Sequence, residues 1–294
     1  MITADDLTYA DPADPPLRRT VIKAMEAATG KQRLWRLYSE YRAETAAGAG
    51  NAESFWQAAL RKLRVTVDFD PAQLAKMPKA GPLVVVANHP YGVLDGLILA
   101  ALIGRVRADY RILTHAVLCR AEEVRAHVLE VDFSGTAPAL QTNLRTRKAA
   151  RDMLRAGGCI AAFPAGGVSS VPRLTARRAA DRAWQPFIAR LVRECGATVV
   201  PIYFDGQNSR LFQVMSRLSM TLRTALFLRE ITAKMGSRIA VKLGDPIAFD
   251  ELAAIRERGA LCAELRRRTY ALGGIDTIPG QPAYRMQPTP SRGG

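Results

Sequence analysis

Histidine, cysteine and aromatic residues are scarce in this chain, with 3 histidines and 4 cysteines in 294 residues and 7% aromatics. Cys119, Cys159, Cys195 and Cys262 form no CxxC pair and share no zinc-like spacing with histidine, so no metal is expected and the thiols read as reduced. The few aromatics do not alternate with basic residues as they do where bases are stacked, which argues against a nucleic-acid partner. Long apolar runs are missing too. The stretch "VLDGLILAALIG" (93–104) is interrupted by Asp and Gly and falls short of the roughly 20 residues that span a bilayer, so no transmembrane helix is expected. The opening "MITADDLTYADPADPP" is acidic and proline-rich where a secretory leader would be basic and then apolar, and a cytoplasmic location is expected. No strand runs into GxGxxG and no P-loop lysine occurs, so no nucleotide cofactor is indicated. In "GGVSSV" Val171 stands where GxSxG needs its second glycine, which disfavours a serine hydrolase.

Basic charge is present in excess: 42 Lys and Arg against 27 Asp and Glu give +15. Much of it is arginine, whose planar fork suits phosphate oxygens. Anionic partners follow, whether nucleic acid, a membrane surface or a phosphorylated carrier, and charge alone does not choose among them. With 48% hydrophobic residues the chain can bury a full core. Residues 1–64 read as a loose arm (1–16) and a helical N-terminal extension, 65–276 as an α/β domain, and the Pro/Gly-rich 277–294 as a disordered tail. Strands are expected at "RVTVDF", "PLVVVAN", "YRILTH", "HVLEVDF", "GCIAAFP", "TVVPIYF" and "SRIAVKLG". Helices are expected over 95–105, 143–156, 184–195, 209–230 in one or two pieces, and 250–270. Continuous apolar strands separated by helices give an α/β fold, a mostly parallel central sheet flanked by helices.

Ligands of such sheets collect beyond the carboxyl ends of the strands. Three exits are rich in glycine or polar residues: Asn88 to Gly92, Pro164 to Ser170, and Asp205 to Asn208. If the strands are parallel these exits share one rim. His89 sits at the first of them, and Asp95 follows in the expected first turn of a helix, where the helix dipole favours an ionised carboxylate. Pro90 and Gly92 let the chain fold back between the two. A carboxylate on one ring nitrogen fixes the tautomer and leaves the other nitrogen free to take a proton, so His89 and Asp95 are the candidate catalytic pair. The competing reading is a structural histidine beside an ordinary helix-end carboxylate, in a basic binding protein. Alternatively the same base acts on water in a thioesterase or lipase.

The blocks "NHPYGVLDG", "FPAGGVSS" and "VVPIYFDGQNS", in that order, resemble those of the glycerolipid (lysophospholipid) acyltransferase family. Within it the resemblance is to the bacterial branch of lyso-ornithine-lipid acyltransferases and proteins labelled hemolysins. It implies transfer of a fatty acyl group from a thioester, on acyl carrier protein or coenzyme A, to the hydroxyl of a lyso-lipid at an anionic membrane surface, without a cofactor. It also implies His89 as base, Asp95 as its partner, and backbone N–H groups of the glycine-rich exits as oxyanion donors. Asn88, Gly92, Phe163, Pro164, Gly166, Gly167, Ser169 and Asn208 would shape the substrate site, with Arg120 matching a second, blurred block. Two departures stand out. Five residues separate the His and Asp where four are usual, and Ala165 and Val168 replace the Glu and Arg of FPEGTRS. That arginine goes with an acceptor phosphate in the family, so its replacement favours another head group, such as an amino-acid lipid. Arg173, Arg177 and Arg178 nearby keep lysophosphatidic acid open as an acceptor. The segment 209–231 mixes large apolar residues with four arginines, as an interfacial helix would, or equally as core helices with solvated arginines would.

Overall fold

The computed structural model describes residues 8, 10, 15–48, 53–115, 122–132, 136–173 and 175–276. Arg120, Cys119 and the expected tail over 277–294 lie outside the described residues. Helices α1 (Pro16–Thr29), α2 (Lys31–Ala46) and α3 (Phe55–Lys62) come first. Pro16 opens α1, where a missing N–H costs nothing, and Ser54 and Gln57 close a reciprocal cap on α3. The expected loose arm is anchored at two points: Thr8 and Ala10 are buried, and the Thr8 hydroxyl donates to Glu26 at 2.6 Å.

Strands and helices then alternate: β1 (Thr66–Asp68), α4 (Pro71–Ala75), β2 (Leu83–Ala87), α5 (Val93–Ile103), β3 (Tyr110–His115), α6 (Glu122–Arg125), β4 (Val128–Val131), α7 (Ala137–Arg155), β5 (Cys159–Ala162) and α8 (Pro186–Cys195). After them come β6 (Thr198–Phe204), α9 (Arg210–Leu218), α10 (Met220–Ala225), α11 (Phe227–Ala233), β7 (Arg238–Leu243), α12 (Phe249–Ala253) and α13 (Arg258–Ala271). All of the strands expected from sequence are present. The sheet has seven strands in the order β1-β7-β6-β2-β5-β3-β4. Strands β2 to β6 run parallel; β7 pairs antiparallel with β6, and β1 follows β7.

The continuous apolar runs have a direct cause, because both faces of the sheet are covered. Leu83, Val85 and Ala87 of β2 pack with Trp56 and Leu60 of α3 and with the apolar residues of α5. The alternate residues Val84 and Val86 pack on the opposite layer, with Leu154 of α7, Ile188 and Val192 of α8, and Leu261 and Leu265 of α13. Helix α5 is buried around most of its circumference, including Leu94, Ile98, Leu99, Ala100, Leu102 and Ile103. A helix apolar on all sides belongs in the interior of a layered protein rather than on its surface.

Helix α7 begins at Ala137, six residues before the expected start, and two expected helical segments are divided. The segment 209–230 forms three pieces: at the first break Ser219 adopts an extended φ of −159° and turns its hydroxyl to the N–H groups of Thr221 and Leu222, and at the second Leu226, without a side-chain cap, separates α10 from α11. The segment 250–270 is divided into α12 and α13, with Glu257 capping the N–H groups of Gly259 and Ala260. At Ser219 and at Glu257 a local side-chain to backbone bond competes successfully with helix continuation.

Candidate active site

Strands β6, β2 and β5 are adjacent and parallel, so their exits meet on one edge of the sheet. The exit of β2 is tied to that of β6 by Asn88, whose side chain donates to the Phe204 carbonyl at 2.9 Å and accepts from the Phe204 N–H at 2.7 Å. Tyr91 adds a second tie, its hydroxyl donating to the Asp205 carbonyl at 2.6 Å. The chain then reverses through Gly92, which has φ +83° and whose missing Cβ would lie 3.3 Å from Val168 on the β5 exit. This reversal brings His89 back over the first turn of α5.

His89 Nδ1 lies 3.0 Å from Asp95 Oδ2, which also accepts the backbone N–H groups of Tyr91 (2.8 Å) and Gly92 (2.9 Å). Asp95 is fully buried, and burial pushes its carboxyl above the ordinary value, while the bonds from His89, Tyr91 and Gly92 pull the other way. With two backbone N–H groups already on Oδ2, the imidazole tautomer protonated on Nδ1 adds a third donor to this carboxylate and leaves Nε2 unprotonated. The His89 side chain keeps 17% of its surface exposed. Its ring stacks on Phe163, centroids 4.0 Å apart and planes 20° from parallel, which fixes the second face of the imidazole.

The His89 backbone is clamped from the other side. Its N–H donates to Asp181 Oδ1 at 3.2 Å, and its carbonyl accepts the Ser169 N–H at 2.8 Å. Asp181 is buried, with Oδ1 also taking the Ser169 hydroxyl at 2.5 Å and Oδ2 the Trp184 indole at 2.9 Å. Its main chain is held by Tyr270 and Arg266 of α13. Burial pushes this carboxyl up as well. Sequence reasoning missed Asp181, because it reaches His89 across 92 residues through a main-chain atom and belongs to no periodic pattern.

The other expected site residues fall into distinct groups. Phe163, Ser169 and Gly92 touch His89 or its loop. Gly166, at φ +67°, turns the chain with its N–H on the Phe163 carbonyl, and Gly166 and Gly167 are exposed at the rim. Pro164 is buried and its carbonyl accepts the Gln185 N–H. Asn88 is buried and its amide is spent on β6. Asn208 is buried with neither amide atom partnered among the described residues, so it retains hydrogen-bonding capacity at the rim. Arg173 is exposed on the loop after β5, and Arg120 lies outside the described residues. Among the described residues no three His, Cys, Asp or Glu side chains cluster as a metal would require.

The acyltransferase family model matches residues 49–276. The lyso-glycine lipid O-acyltransferase of Phocaeicola vulgatus is 27% identical over 157 residues, 51% of this chain and 51% of that protein, so the chain spans about half the length of the curated relative it matches. Among solved structures, the 1-acyl-sn-glycerophosphate (LPA) acyltransferase of Thermotoga maritima aligns at a TM-score of 0.48 and 15% identity, covering 87% of this chain and 81% of that one.

Proposed function

From the premise that this chain belongs to the acyltransferase family, we propose that it moves a fatty acyl group from a thioester, on acyl carrier protein or coenzyme A, to the hydroxyl of a lyso-lipid. His89 Nε2 takes the proton of the acceptor hydroxyl as its oxygen attacks the thioester carbonyl. The C–S bond then breaks, and the imidazolium returns its proton to the departing thiolate. Asp95 stabilises the imidazolium between these steps, and rim N–H groups such as that of Gly167 face the oxyanion of the tetrahedral intermediate. The observation that carries this reading is the 3.0 Å contact of His89 Nδ1 with a fully buried carboxylate, at the shared edge of three strand exits.

The acceptor in this reading is an amino-acid lyso-lipid, the class to which lyso-ornithine lipid and the lyso-glycine lipid of the P. vulgatus relative's name belong. Lysophosphatidic acid is the second reading, favoured by the excess of arginine. Membrane lipids from cells with and without the gene, compared by mass spectrometry, identify the acceptor as the lyso-species that accumulates. His89→Ala, with folding checked by circular dichroism, should lose roughly 10²–10⁴ in rate. Unchanged transfer would remove His89 from the mechanism. Release of free fatty acid without any acceptor would mark a thioesterase instead.

Among the described residues no helix is long and apolar enough to cross a membrane. Contact with the inner face of the membrane is proposed through α9, where Leu211 and Leu218, 41% and 67% exposed, share one face beside Arg210 and Arg217. Leu211→Ser with Leu218→Ser should weaken sedimentation with anionic vesicles, and unchanged sedimentation would move the contact elsewhere.

A further inference from the structure

Beside the His89 loop lies a pocket of about 520 Å³ bordered by four arginines, Arg182, Arg217, Arg223 and Arg266, and by Ser216. Its one carboxylate is Asp181, whose oxygens are already engaged by Ser169, Trp184 and the His89 N–H. Arg223 comes from α10 and is only 7% exposed. Its Nη2 donates to the Val168 carbonyl at 2.7 Å and its guanidinium lies over the Phe212 ring at 5.6 Å. No carboxylate pairs with it among the described residues. Burial is the main influence lowering its pKa, and repulsion from Arg182 adds to it. A guanidinium withdrawn from water without a counter-charge is costly, and so is the Ser216 hydroxyl, buried with no partner among the described residues. An anion seated in the pocket would relieve both.

The position narrows which anion. The Val168 carbonyl that holds Arg223 belongs to the same peptide unit as the Ser169 N–H, which donates to the His89 carbonyl at 2.8 Å. One peptide unit and two hydrogen bonds therefore link the buried guanidinium to the base-bearing residue. The polar head of a lyso-lipid lies a short way along the molecule from its reacting hydroxyl and can occupy such a place. The phosphate of a pantetheine thioester is separated from its sulfur by two amide-linked segments, and suits a more distant site.

Resting on the acyl-transfer reading above, we propose that this pocket binds the anionic head of the acceptor, a carboxylate or phosphate, with Arg223 as the buried anchor and Arg182 and Arg217 at its mouth. Arg266, buried and donating to the Asp181 carbonyl, closes the inner wall. The pocket thereby makes a negative head group a condition for productive binding.

The test reads binding without turnover, in the full chain carrying His89→Ala. Its probes are a hydroxyl-bearing N-acylglycine, the primary amide of that compound, and lysophosphatidic acid, each titrated calorimetrically below its micelle concentration. At least one acid should bind about tenfold or more tighter than the neutral amide, as expected when a charged hydrogen bond is gained. The difference should vanish when Arg223→Gln is added and shrink when Arg182→Ala is added; the latter is an exposed change that leaves the core intact and keeps the test usable if the buried variant misfolds. Whichever acid shows the dependence names the head group. Equal binding of acids and amide, or a preference indifferent to both arginine variants, overturns the proposal. In the His89-containing enzyme, Arg223→Gln should raise KM for the acceptor. A rise confined to the KM of acyl-coenzyme A would assign the pocket to the donor and overturn it too. If no acyl transfer occurs with any acceptor the reaction assignment fails, while the calorimetric result still decides the pocket.

Discussion

Asp95 and Asp181 are both buried carboxylates that hydrogen-bond to His89, yet they act on different parts of it. Asp95 takes the imidazole Nδ1 from six residues away, within one turn of chain and helix. Asp181 takes the backbone N–H from 92 residues away, and bridges Ser169, Trp184 and, through its main chain, α13. The first sets the tautomer of the ring; the second sets where the loop stands relative to the β5 exit. A short-range contact and a long-range one thus divide the work of placing a single nitrogen.

The sharpest way to break this contrast is Asp95→Asn. It keeps the shape but removes the charge that holds the proton on Nδ1, and turnover should fall by about 10²–10⁴ with little change in KM. Near wild-type turnover in a folded Asp95→Asn protein would separate the carboxylate from the chemistry. Asp181→Asn should cost about 1–3 kcal/mol of stability by mismatching the Trp184 or Ser169 bond, and lower turnover less than Asp95→Asn does. Its pH dependence carries a sign. The folded protein raises the pKa of Asp181, so that group's contribution to stability is greatest in acid and is lost as pH rises through the raised value. The melting temperature of Asp181→Asn relative to wild type should therefore improve from acid toward neutral pH, and a trend in the opposite direction would contradict the burial effect.

Smaller effects probe the tie to β6. At Gly206, φ is +110° and an added Cβ would fall 1.9 Å from the Tyr91 hydroxyl, so Gly206→Ala should destabilise by about 1–3 kcal/mol. Part of that cost should be recovered by Tyr91→Phe, which removes the clashing oxygen. Tyr91→Phe alone should cost about 1 kcal/mol, the loss of its bond to the Asp205 carbonyl. Chemical denaturation of the two single variants and the double one measures the coupling.

Much of this architecture can be read from local pattern. The apolar runs mark the central strands β2, β5 and β6 because both faces of the sheet are covered there, and the polar exits of these three converge because they are parallel neighbours. The His89–Asp95 pairing is legible for the same reason: it is local, and Pro90 and Gly92 announce the turn. Asp181 and Arg223 are not, since each reaches the site from a distant segment and bonds to a main-chain atom that any residue supplies. Asn88 illustrates the ambiguity that remains at a strand exit. A polar side chain there serves a ligand or a neighbouring strand equally well by sequence, and here its amide pairs with Phe204 of β6. The first division of 209–230 falls at one serine, whose capping geometry is clear only once the surrounding helices are in place, and the second, at Leu226, has no capping side chain to announce it.

Asp95 rides in the opening turn of a helix sunk in the interior on nearly every side. The imidazole therefore receives its address when the protein folds, not when a lipid arrives. Heat should extinguish activity and tertiary structure together, with no inactive yet folded stage between them.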